Sequence, residues 1–196
     1  MQLQRGLQHI DLIVEVRDAR LPFTSVNPEF DTVFATHQHS SKLVVYNKAD
    51  LANRNMSQVA AKILKQRMGE SSPILFTSCG SNNKSHLQND ASVKHILDYA
   101  ASRCRNNPQQ YPYLTMIVVG IPNVGKSTLI NALRRIGVQK GKVTQVGQFA
   151  GVTTAIQTRV KIHDEPPIYL VDTPGILNPH VINPLQSLKV SLTGKS

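Results

Sequence analysis

The chain has only two cysteines in 196 residues, Cys79 and Cys104. Their separation fits no metal-ligand spacing, so a zinc finger or ribbon is excluded. The sequence leaves a single disulfide open, and two free thiols in a reducing compartment are the expected state. No apolar run approaches the length needed to span a bilayer. The opening residues, Met1-Gln2-Leu3-Gln4-Arg5-Gly6, contain no signal-peptide apolar region, and one arginine does not make a transit peptide. The seven histidines form no metal cluster; His37 and His39, two apart, would face different sides of a helix. Internal repeats and low-complexity tracts are also absent. With 40% hydrophobic residues, a chain of this length makes one domain with a substantial core.

Acidic residues are scarce: 12 against 22 Lys and Arg, for a net charge of +10. None occurs between Tyr99 and His163, a stretch that carries Arg103, Arg105, Lys126, Arg134, Arg135, Lys140, Lys142, Arg159 and Lys161. Such a surface suits a polyanion such as RNA. The alternatives are a solvated basic face and a patch for an acidic protein.

The apolar pattern alternates strand and helix. Strands are expected at Leu12–Val16, Leu43–Tyr46, Ile74–Phe76, Leu114–Val119, Ala155–Ile162 and Ile168–Val171. Helices are expected at Glu29–Thr36, Ser57–Met68, around Val93, Ile96, Leu97 and Ala100, at Lys126–Ile136, and as an amphipathic tail at Val181–Leu192. The polar, Pro-bearing segment 105–113 reads as a linker, and Gly137–Gly151 as a Gly-rich, basic loop. The alternation predicts an α/β fold of three layers, a parallel sheet with helices on both faces.

Three short motifs carry the chemistry. Gly120-Ile121-Pro122-Asn123-Val124-Gly125-Lys126-Ser127, with Thr128 following, lies between a predicted strand and a predicted helix. That is the context of a phosphate loop: glycines let successive amides face the phosphates, Lys126 reaches the β and γ phosphates, and Ser127 ligates magnesium. Asn47-Lys48-Ala49-Asp50 ends a strand, where open α/β sheets bind ligands. Asp50 can accept from the imino and amino groups of guanine, a donor pair adenine lacks. Asn47 can bond the imidazole edge, and the Lys48 stem can lie over the ring. Asp172-Thr173-Pro174-Gly175 follows the last strand; Asp172 would hold magnesium through water and the Gly175 amide would meet the γ phosphate. Thr153, in Gly151-Val152-Thr153-Thr154, is the candidate to complete the magnesium shell. Thr77-Ser78-Cys79 follows a strand and is placed to touch the guanine carbonyl through backbone amides.

The order of these motifs is informative. In an ordinary GTPase the phosphate loop leads and the guanine motif comes late; here the guanine motif leads. The chain therefore reads as one circularly permuted G domain, with a guanine-binding half at 1–104, the linker 105–113, and a phosphate-loop and switch half at 114–196. Domain termini sit at surfaces and often close together, so joining old ends and opening new ones preserves the sheet. An ATPase or kinase built on the phosphate loop is disfavoured by Asn47 and Asp50.

Taken with Asp11-Leu-Ile-Val-Glu-Val-Arg-Asp18-Ala19-Arg20-Leu-Pro22, Asn27-Pro28 and Asp172-Thr173-Pro174-Gly175-Ile176-Leu177, the motifs resemble the circularly permuted GTPases of large-ribosomal-subunit assembly. The similarity is to the bacterial ribosome biogenesis GTPase A group and its mitochondrial ribosome-associated relatives, over nearly the whole chain. The resemblance implies binding of GTP and GDP, magnesium, GTP hydrolysis, and association with the large subunit and its rRNA. It also implies a mitochondrial location on the matrix side, at the inner-membrane surface. Similar GTPases hold potassium with an Asn at the position of Asn123. Ile176 stands where Ras-like enzymes carry a water-orienting Gln. The family's Gly-His-Met segment, whose His is implicated in catalysis, and its C-terminal helical domain have no counterpart here. The catalytic group is thus unassigned, Lys126 and Thr153 serving as transition-state and magnesium support. The expected chain is a member truncated at both ends; the alternative is a GTP/GDP- and RNA-binding module with little hydrolysis.

Overall fold

The computed structural model describes residues 9–27, 30, 40–68, 72–79, 91–140 and 158–172. Six strands form one sheet: β1 (Leu12–Asp18), β2 (Ser41–Asn47), β3 (Ile74–Phe76), β4 (Leu114–Val119), β5 (Thr158–His163) and β6 (Ile168–Asp172). Among the described residues three helices pack on it: α1 (Arg54–Met68), α2 (Ala91–Asn106) and α3 (Lys126–Lys140). A 3-10 turn, Ala49–Leu51, follows β2.

The strand order is β3-β2-β1-β4-β6-β5. The chain builds outward from β1 through β2 to β3, then returns to the other side of β1 with β4. The order therefore reverses between β1 and β4, the point at which an open α/β sheet leaves a crevice at its carboxyl edge. Register sets what meets there. Asp18 of β1 lies beside Asn47 of β2, and Glu15 lies beside Val119, the last residue of β4.

Strand residues alternate between two buried faces. Leu12, Val14 and Val16, with Leu43, Val45, Leu114, Met116, Val118, Ile168 and Leu170, pack under α2 and α3. The helix face expected at Val93, Ile96, Leu97 and Ala100 is fully buried there, with Leu129 and Leu133 of α3. Val44 and Tyr46 point the other way, against Ala60 and Leu64 of α1. The three-layer arrangement follows from strands that are apolar on both sides, each fully buried aliphatic side chain contributing about 1.5–3 kcal/mol.

The sheet is not wholly parallel, as the sequence reading had it. β5 runs antiparallel to β6. The cause is the connection Asp164-Glu165-Pro166-Pro167: four residues can close a hairpin, whereas a parallel crossover needs a dozen or more. Two boundaries also move. The linker expected from Arg105 starts later, because α2 runs through Asn106 and Pro108 follows its end. α3 continues past Ile136 to Lys140, so the loop expected from Gly137 does not begin there. The helices expected at Glu29–Thr36, except Phe30, and Val181–Leu192 lie outside the described residues, as do 141–151 of the basic loop and 155–157 of the strand expected at Ala155–Ile162.

Both cysteines are free and buried. No described helix is long and apolar enough to cross a membrane. Among the described residues no group of His, Cys, Asp and Glu is arranged to hold a metal.

Candidate functional site

The carboxyl ends of β1, β2 and β4 bring the two principal motifs together. β4 ends at Val119, and Gly120 leaves it with φ 153°. A Cβ there would fall against the backbone carbonyl of Val16 in β1. Only glycine fits at this close approach of loop to strand. Asn123 follows at φ 63° and Gly125 at φ 97°. The Leu129 amide then donates to the Gly125 carbonyl at 3.0 Å, opening α3. The loop is thus a tight backbone turn feeding a helix N-terminus, an arrangement that favours phosphate.

Lys126, the first residue of α3, donates to the Ile121 carbonyl at 2.8 Å. Burial pushes its pKa below the ordinary lysine value. A phosphate arriving at the loop would favour its charged form again. Ser127 is exposed and Thr128 half-buried on the first turn. Pro122 is half-buried, and Val124 is fully buried.

Asn47 is completely buried at the end of β2. Its Nδ2 donates to the Val124 carbonyl at 3.2 Å. Its Oδ1 accepts from the Thr77 hydroxyl and from the Cys79 amide, each at 3.0 Å. One side chain therefore ties the guanine motif to the phosphate loop and to the segment after β3. A Cβ on Gly125 would collide with this same Nδ2. The sequence reading gave Asn47 to the base edge; three protein groups claim it first, leaving the second Nδ2 hydrogen for a ligand.

Thr77-Ser78-Cys79 is also tied into the protein. Thr77 and Cys79 are buried; the Thr77 amide donates to the Tyr46 carbonyl at 2.8 Å, and the Cys79 amide is held by Asn47. Ser78, between them, is half-buried. Cys79 also joins the core under α2.

Lys48 adopts φ 62°, ψ 35°, and its ammonium donates to the Asn123 carbonyl at 2.7 Å. Asp50 is exposed, as a carboxylate must be to receive a ligand. Asp172 ends β6 one residue past the Ile117–Val171 pair, which sets it alongside the end of β4. Thr153 and Gly175 lie outside the described residues. By residue type Ser127 and Asp172 carry only oxygen donors, the kind a hard ion such as magnesium takes. Bound beside the phosphates, magnesium would neutralise their charge.

Polar residues missed by motif reading are buried beside this site. Glu15 and Arg17, both about 1% exposed, form a bidentate pair at 2.6 and 2.8 Å. Arg17 also donates to the Tyr46 hydroxyl at 3.2 Å, and Lys42 pairs with Glu15 at 2.8 Å. Burial alone would lower the Arg17 pKa; Glu15 outweighs it and raises the value. Asp18 accepts from the Arg20 amide, Nε and Nη2 at 2.9, 3.0 and 2.8 Å. The sequence signal was Glu-x-Arg-Asp-x-Arg at a strand end, visible as a pattern but silent on partners.

Comparison with known proteins agrees with this geometry. The family model for the 50S ribosome-binding GTPase matches residues 115–192. "Mitochondrial ribosome-associated GTPase 1" of Xenopus tropicalis is 33% identical over 198 residues, covering 98% of this chain and 59% of the relative. The Mus musculus protein of the same name is 36% identical over 197 residues, covering 98% of this chain and 56% of the relative. "Mitochondrial GTPase 1" of Schizosaccharomyces pombe is 31% identical over 199 residues, 94% of this chain and 58% of the relative. The chain thus spans less than two thirds of these relatives. Among solved structures, YjeQ from Thermotoga maritima matches with TM-score 0.53 and 20% identity, over 88% of this chain and 50% of that one, a likeness of fold. The guanine motif stands ahead of the phosphate loop, both are joined through Asn47, and over nearly its whole length the chain is similar in sequence to the mitochondrial ribosome-associated GTPases.

Proposed function

We propose that this chain binds GTP and GDP with magnesium, hydrolyses GTP, and acts in assembly of the large ribosomal subunit in mitochondria. The observation that carries the reading is the Asn47 tie between guanine motif and phosphate loop. Two motifs far apart in sequence converge on one crevice at the topological switch point. On this reading Asp50 reads the guanine, Lys48 lies against its ring, and Ser78 faces its carbonyl. The loop amides and Lys126 hold the phosphates. Ser127, Asp172 and Thr153 surround magnesium, and Gly175 meets the γ phosphate.

Two finer assignments follow. The exposed side chain of Asn123 would hold a potassium ion beside the phosphates, supplying charge that an arginine finger gives elsewhere. Equal turnover in sodium and potassium would remove that role. The basic stretch from Arg103 to Lys161 would hold rRNA through its phosphates. Arg103 and Lys161 have internal partners, Tyr111 and Asp164, so those two carry less of this assignment. The matched relatives are named mitochondrial, and a part in ribosome assembly would put the chain on the matrix side; contact with the anionic inner-membrane surface would draw on the net charge of +10.

The test is GTP turnover by the purified chain with and without large ribosomal subunits. Turnover stimulated by subunits is expected. Tight guanine-nucleotide binding with no turnover in either condition would reduce the chain to a nucleotide- and RNA-binding module.

A further inference from the structure

The Asp18-Ala19-Arg20 segment is unused by the chemistry above, yet it stands at the crevice. Asp18 is the last residue of β1, 2% exposed, and the register sets it beside Asn47. The chain after it is firmly held. The Ala19 amide donates to the Asn47 carbonyl at 2.8 Å and the Leu21 amide to the Asp18 carbonyl at 3.1 Å. Ser25 Oγ donates to the Leu21 carbonyl at 2.8 Å. The Asp18 carboxylate has little freedom, because Arg20 grips both of its oxygens.

That carboxylate faces Lys48, with Oδ2 at 3.4 Å from the ammonium. The ammonium is held on its other side by the Asn123 carbonyl. Lys48 therefore spans from the end of β1 to the phosphate loop, its head fixed between a carboxylate and a carbonyl and its own backbone in a left-handed conformation. A lysine pinned at the head presents its stem in one direction. The rotamer entropy of a free lysine makes it a poor platform for a flat ligand. Arg20 also feels the charge of Asp50, the carboxylate assigned to guanine.

We infer that Asp18, clamped by Arg20, is a positioning residue of the guanine site that acts through Lys48. It fixes the lysine stem before the base arrives, lowering the ordering cost of binding. The inference rests on the guanine-nucleotide reading. Asp18 touches no ligand itself, so its effect should be equal for GDP and GTP and should vanish when Lys48 is gone.

The experiment is a double-mutant cycle on the full chain, read as the dissociation constant of mant-GDP. Asp18→Asn should weaken mant-GDP binding about ten-fold, and unlabelled GTP by the same factor. In a Lys48→Ala background the same change should matter less than about two-fold. Arg20→Lys keeps the charge but loses the fork, and should give a smaller loss, again only when Lys48 is present. Circular dichroism and thermal melting of each variant check folding, and Arg20→Lys serves if Asp18→Asn does not fold. Equal ten-fold losses with and without Lys48 would mean that Asp18 merely supports the fold, and would overturn the proposal. So would unchanged binding in both variants. Failure of the unmodified chain to bind mant-GDP would instead overturn the nucleotide reading and take this inference with it.

Discussion

Asn47→Ala should be costly well beyond its loss of ligand contact. The side chain is fully buried and makes three hydrogen bonds, to Val124, Thr77 and Cys79. Truncation strands the Val124 carbonyl and the Cys79 amide, both in buried residues. Each stranded group costs about 1–3 kcal/mol; the Thr77 hydroxyl can rotate to another acceptor. The expected loss is about 2–6 kcal/mol, against about 5–15 kcal/mol for a whole domain. Thr77→Val is the graded companion. It deletes only the hydroxyl donor and leaves Oδ1 bonded to the Cys79 amide, so about 1 kcal/mol is expected. Urea unfolding without nucleotide measures both, at constant slope. Asn47→Ala costing no more than Thr77→Val would show that the three-way tie carries little energy. It would refute the argument that one buried amide joins the motifs.

Gly120→Ala should destabilise by more than the roughly 1 kcal/mol of a positive-φ substitution, because the new Cβ meets the Val16 carbonyl; thermal melting reads it, and a neutral outcome would contradict the close approach. Glu15→Ala should cost about 3–5 kcal/mol by leaving Arg17 charged and buried, whereas Glu15→Leu with Arg17→Met should cost far less; guanidinium titration of the two compares them. Burial would raise the Asp18 pKa, but Arg20 and Lys48 outweigh it and hold it below 3.8. Between the folded and unfolded values the unfolded chain binds more protons, so this share of stability is present above pH 3.8 and is lost as pH falls through the folded value. Asp18→Asn should therefore flatten the acid limb of a stability–pH curve, and an unchanged limb would refute the assignment.

Much of this was legible in the sequence because it is local. The β-branched and aliphatic runs that became β1, β2, β4 and β6 need burial on both faces, and a parallel sheet supplies it. The face of Val93, Ile96, Leu97 and Ala100 declares itself by its spacing alone. The phosphate loop is a backbone device whose glycines are required by the Val16 carbonyl and by Asn47, so its residue types betray it. Other features depend on partners distant in the chain. Nothing near Asn47 says that its amide will be consumed by Val124, Thr77 and Cys79. Nothing near Asp18 says that Lys48 will lie opposite. The antiparallel β5 had a local signal, the four-residue turn at 164–167, which the strand–helix alternation obscured.

The most direct test of the account is competition for bound mant-GDP by GTP, ATP and XTP, on the unmodified chain and on Asp50→Asn. The account predicts that GTP displaces the probe while ATP does not. In Asp50→Asn, which loses the carboxylate that accepts both guanine donors, preference should pass from GTP to XTP. Displacement by ATP as readily as by GTP, or a GTP preference unchanged in Asp50→Asn, would contradict it.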